Sequence, residues 1–122
     1  MTIGKRIKQL RENLNISQIA LAKKIGVSKQ NLYKYENGII SNIPSDKIEA
    51  IAKALGTSPA YLMGWDDTPP TTEDTVIRLL QAEYDLDDQD IKFIRDYIHM
   101  EQDERKAFRL AIEAIKKIRD AD

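Results

Sequence analysis

Seven residues between positions 18 and 37 carry side chains suited to hydrogen bonding with a polyanion: Gln18, Ser28, Lys29, Gln30, Tyr33, Lys34 and Asn37. Most are long-armed, all are polar, and none is acidic. Glutamine can bond bidentately to adenine N6 and N7, and lysine can donate to guanine O6 and N7. This is the chemistry of reading base edges. The groups that catalysis needs are missing. Every serine (17, 28, 41, 45, 58) lies in the first half, so the second half cannot run a Ser–Lys mechanism. His99 is the single histidine and there is no cysteine, so neither a histidine-based nor a thiolate metal site is expected. The carboxylates are scattered at helix starts and read as caps, not as an acid/base pair. No Gly-rich phosphate loop occurs. Neither an enzyme, a metal nor a cofactor is expected.

The elements that position these residues follow from spacing. Ser17 is an N-cap candidate, since its hydroxyl can accept from an orphan amide of the first turn. Leu21, Ala22 and Ile25 then share one helical face, and Gly26 is a stop able to take positive φ. Ser28 is a second N-cap. Leu32 and Tyr35 carry the inward stripe of the next helix, 29–37, and Gly38 ends it. At about 100° per residue, Gln30, Tyr33, Lys34 and Asn37 fall on the opposite side. Two helices joined by a short turn, with small residues (Ala22, Gly26) where they approach, form a helix-turn-helix unit.

The pattern resembles the DNA-binding domain of phage repressors and Cro proteins, the XRE-type family. The residues that carry the likeness are Ser17-Gln18, Leu21-Ala22, Ile25-Gly26-Val27-Ser28 and Tyr35-Glu36-Asn37-Gly38. The likeness runs over 3–65, about half the chain, and implies a five-helix lambda-repressor-like fold binding double-stranded DNA. It implies that Gln18 clamps a phosphate at a helix N-terminus, as helix termini favour anions. It also implies a structural ion pair between Arg11 and Glu36, the one acid in the recognition region. The helix beginning at Lys29 would enter the major groove with its N-terminal end towards the bases. Gln30 is then the first direct reader and Lys34 the second. Lys29, Ser28 and Tyr33 are placed to read bases or touch the backbone.

The remaining segments are consistent with an all-α chain. Ile3, Ile7 and Leu10 give helix one a single apolar face, which Leu14 closes. Pro44 and Ser45 open a helix whose inward residues are Ile48, Ile51, Ala52 and Leu55, and Gly56 stops it. Ser58-Pro59 is an N-cap with proline at N1, starting helix five. Trp65 is expected to lie over the core as a lid. Pro69 and Pro70 interrupt any helix, so the expected division is a DNA-binding domain at 1–66, a linker at 67–72, and a helical oligomerisation or partner-binding region at 73–122. That last region has neither glycine nor proline beyond Pro70. Acids mark three helix starts, near Glu73, Asp87 and Glu101. Val76, Leu79 and Leu80 are the expected inward face of the first. Ile94, Ile98, Phe108, Ile112 and Ile115 are candidate oligomerisation residues on the other two. Those two helices read either as a hairpin bent near 99–102 or as one long helix.

Charge separates the halves. Residues 1–66 hold ten Lys and Arg against five acids, and 67–122 hold nine against fifteen, which assigns the phosphate-binding role to the first half. The N-terminus lacks the apolar run of a signal peptide and no stretch is long enough to span a bilayer, so a cytoplasmic protein without membrane partners is expected. One small module makes few base contacts, and such proteins pair two half-sites as a homodimer or higher homo-oligomer. The expected function is a sequence-specific transcriptional repressor of phage or mobile-element type on a two-half-site operator. The alternative is a DNA-binding interaction protein whose C-terminal half docks another protein: an antirepressor, a toxin or a protease.

Overall fold

The computed structural model describes residues 2–121. Among them are eight helices and no strand: α1 (Ile3–Asn13), α2 (Gln18–Ile25), α3 (Lys29–Glu36), α4 (Ser45–Leu55), α5 (Pro59–Leu62), α6 (Thr72–Glu83), α7 (Asp88–His99) and α8 (Gln102–Asp120). They group into two compact units, the first ending at Asp85 and the second beginning at Leu86.

Local chemistry places the helix ends of the first unit. Side-chain oxygens of Thr2, Ser17, Ser28, Ser58 and Thr71 each accept from the backbone N–H three residues on, at 3.0–3.2 Å. These bonds satisfy donors that the first helical turn leaves unpaired. Gly26 closes α2 at φ 76, in the left-handed region where a side chain would be strained. The core is the meeting of the inward stripes: Ile7 of α1, Leu21 and Ile25 of α2, Leu32 and Tyr35 of α3, Ile48, Ile51 and Leu55 of α4, and Leu62 of α5. Each stripe buries the residues that helical periodicity assigns to it.

Three expectations are corrected. The first unit does not stop before the linker: 66–71 is irregular, but α6 beyond it packs on α4. Ile77 is 2 % exposed, and Gly56 sits so close to α6 that a Cβ there would lie 2.8 Å from the Thr75 carbonyl oxygen. The two prolines turn the chain without releasing it. Of the expected inward residues of α6, Leu79 packs against Gly56 and Leu80 is half-buried, but Val76 is exposed and Ile77 is the fully buried one. Amphipathic spacing alone does not say which arc of a helix meets the glycine-floored groove. The shift also brings the five acids of 67–85 into this unit, so its basic character is concentrated in α1–α3, where eight Lys and Arg stand against two acids. Finally, Trp65 is no lid: it is 77 % exposed. The space at the end of α5 is taken by Arg6, whose guanidinium lies 4.5 Å over the Tyr61 ring and whose Nη1 donates to the carbonyls of Tyr61 (2.6 Å) and Asp66 (3.2 Å).

In the second unit α7 ends at His99 and α8 starts at Gln102, with Met100 and Glu101 extended between them. The single long helix is not formed. The Phe93 and Phe108 rings meet edge-on at 5.5 Å, whereas in a continuous helix those residues would be about 22 Å apart. So α8 folds back along α7. The break has a local cause: Glu101 and Glu104 form a capping box that starts a new helix.

Candidate nucleic-acid interface

α3 is held by its two ends. Ser28 Oγ accepts from Asn31 N at 3.0 Å, which starts the helix beside the turn from α2, and Asn37 Nδ2 donates to the Tyr33 carbonyl at 2.8 Å at the other end. Leu32 and Tyr35 anchor the inner face in the core, and this leaves Lys29, Gln30, Tyr33 and Lys34 exposed. Those four and Gln18 line one shallow concavity. Ser28 and Asn37 lie at its margins with their side chains engaged as caps, so their remaining hydrogen-bonding capacity is smaller than that of Gln30 or Lys34.

Behind this face lies a buried polar cluster. Arg11 grips Glu36 with two bonds, Nε to Oε2 at 2.7 Å and Nη2 to Oε1 at 3.0 Å, and its Nη1 donates to the Ile16 carbonyl at 2.9 Å. The Glu36 side chain is fully buried. A buried carboxylate is costly unless paired and hydrogen-bonded, and the fork of Arg11 supplies both conditions. The hydrogen bond to Glu36 holds the Arg11 guanidinium above its ordinary value, against the opposing effect of burial. The guanidinium thus keeps its charge at every pH below strong alkali. α1 comes close enough to the end of α3 to make this pair because residue 4 is glycine. A Cβ there would collide with the carbonyl oxygens of Tyr35 and Glu36.

Two features of the site were not legible in the sequence. Gln18 Nε2 donates to Glu36 Oε1 at 3.0 Å, so the amide stands between the buried ion pair and the outer face. A carboxylate only accepts, so the amide must turn its nitrogen inward and keep its oxygen and second N–H for the surface. Arg6, a basic residue off the apolar face of α1, is buried and ties α1 to the linker. Its Nη2 also meets Asp67 Oδ1 at 3.2 Å. Only the fold could reveal this, since its partners lie 55–61 residues away.

Among the described residues no group of three or more His, Cys, Asp and Glu could hold a metal ion, and no helix is long and apolar enough to cross a membrane.

Comparison with known proteins matches residues 7–62 to the family described as "Helix-turn-helix". The P22 c2 repressor, solved in complex with a synthetic operator, superposes with a TM-score of 0.51 at 35% identity, over 54% of this chain and 98% of that one. The immunity repressor protein of Bacillus phage phi105 is 34% identical over 84 residues, 69% of this chain and 52% of that protein. An uncharacterized HTH-type transcriptional regulator of Sinorhizobium fredii, y4wC, is 39% identical over 66 residues, 54% of this chain and 44% of the relative. The chain thus spans about half the length of the curated relatives it matches first.

Proposed function

This chain belongs to the XRE-type helix-turn-helix family of transcriptional regulators, related to phage repressors, and from that premise we propose that it is a sequence-specific repressor of phage or mobile-element type, acting as a homodimer on a two-half-site operator. One observation carries the reading. The exposed side of α3 presents Lys29, Gln30, Tyr33 and Lys34 with Gln18 in a single acid-free concavity, while the one nearby acid is neutralised behind it. In this reading α3 lies in the major groove, with Gln30 and Lys34 on base edges and Gln18 and Ser28 at the sugar-phosphate backbone. Repression is favoured by the likeness to two phage repressors. Pairing of half-sites falls to the second unit, where Ile98, Phe108, Ile112 and Ile115 are exposed and Ile94 is half-buried.

The test is selection of bound sequences from random DNA, followed by binding of variants to the selected operator and its single-base changes. Gln30→Ala and Lys34→Ala should each lose about 1–3 kcal/mol of discrimination at one base pair of each half-site. Gln18→Ala should weaken all sequences about equally. Unchanged base preference in both α3 variants would remove α3 from the groove.

A further inference from the structure

α8 is 19 residues long, and its surface is divided unequally. Phe108 turns to α7, where it meets Phe93. The adjoining arc carries Ala107, Leu110, Ala111, Ala114, Ile115 and Ile118, which fall together at about 100° per residue. Leu110, Ile115 and Ile118 are 62, 64 and 73 % exposed. No described residue of the second unit is buried. A pair of helices with no buried side chain has almost nothing to offset the entropy of ordering it, so this unit must complete its core outside itself.

We propose that the arc is completed by α8 of a second copy of the chain, running antiparallel and crossing at Ala111. This rests on the homodimer reading above and assigns its geometry. Charge order chooses the occupant and its direction. Glu101, Asp103 and Glu104 stand at one end of α8, and Lys116, Lys117 and Arg119 at the other. A parallel copy would set like charges side by side. An antiparallel copy sets Asp103 against Lys117 of the second copy on one flank, and Glu104 against Arg119 of the second copy on the other. In an isologous pair, if i meets j then j meets i, so each pairing has a midpoint on the two-fold axis. The first pairing is centred on residue 110 and the second between 111 and 112. Both fall within one residue of Ala111, where a methyl group lets the helices approach closely. The exposed contacts of Arg119 with Asp120 (3.3 Å) and of Lys116 with Glu113 (3.8 Å) are within one helix and open to exchange. The apolar arc provides the association, and the flanking charges select the direction, since exposed ion pairs orient partners more than they bind them.

The chain has no cysteine, so single cysteines in the full-length protein report the geometry directly. Under mild oxidation Ala111→Cys should link to its own counterpart, because it lies on the axis. Ile118→Cys should not, because antiparallel copies hold those positions about 21 Å apart, and a disulfide needs Cα atoms within about 7 Å. A mixture of Glu104→Cys and Ile118→Cys chains should link across the pair, with a yield about tenfold above that of Ile118→Cys alone. Sedimentation of each variant before oxidation keeps the outcomes separate. If Ile118→Cys links to itself as fast as Ala111→Cys does, the copies are parallel and the proposal fails. A dimer in which none of the three links has its interface elsewhere, and the proposal fails while the homodimer reading stands. A monomer throughout overturns the homodimer reading itself.

Discussion

The two units are made of equally well-formed helices and differ in what those helices bury. α7 opens with a reciprocal capping box, Asp90 N to Asp87 Oδ1 at 2.8 Å and Asp87 N to Asp90 Oδ2 at 3.0 Å, as complete as any cap of the first unit. Yet the first unit has a core drawn from six helices, and no described residue of the second is buried. Helix signals and a folded core are thus separate properties. Caps and periodicity choose the local conformation at about 1 kcal/mol apiece, but tertiary stability comes from apolar faces that meet. The first unit meets its own faces and holds the helix-turn-helix. The second leaves its apolar arc exposed, which the proposed pairing would cover.

This contrast can be broken at its strongest point by charging the second unit. Ile115→Asp with Ile118→Asp places two carboxylates in the exposed apolar arc, where burial in a pair would be costly. Operator affinity should fall by about 10²–10⁴-fold, the gain that tethering two modules ordinarily supplies. Non-specific binding per module and its salt slope should stay put. Titration of operator and random DNA at several salt concentrations reads both, and a matching loss on random DNA would mean that the second unit touches DNA itself.

The first unit should respond to loss of an internal group in the opposite way. Glu36→Ala leaves the Arg11 guanidinium buried without its carboxylate, and about 3–5 kcal/mol of stability should go. Urea unfolding followed at Trp65 measures it. Loss of under about 1 kcal/mol would mean that Arg11 finds water, and that the pair is not internal to the fold.

The boundary between the units gives a smaller effect. A chain ending at Asp85 should unfold with the stability of the first unit intact, while one ending at Asp66 uncovers the groove floored by Gly56 and loses the burial of Ile77. The difference should be about 1.5–3 kcal/mol, the worth of one fully buried isoleucine. Equal midpoints for the two fragments would detach α6 from the DNA-binding unit. The smallest effect should come from Trp65→Ala, within about 0.5 kcal/mol in stability, since that side chain faces solvent. Because Trp65 is also the fluorophore, this variant is followed by circular dichroism.

Much of this molecule was decided within short stretches of chain. The helix starts at Ser17, Ser28 and Ser58, the stops at Gly26 and Gly56 and the inward stripes of α1 to α4 all depend on contacts between residues three or four apart, so sequence alone determines them. The acid-free outer face of α3 followed from the same periodicity once Leu32 and Tyr35 were turned inward. Tertiary structure alone decided the rest. Arg6 left solvent because the carbonyls at the end of α5 needed a donor and Tyr61 offered a ring. Trp65 stayed outside. Gln18 turned its amide nitrogen towards a carboxylate 18 residues away, and Ile77 was buried while Val76 stayed exposed because α6 packs on α4. Each of these depends on which surfaces meet, and a helical pattern specifies a face without naming the surface it will meet.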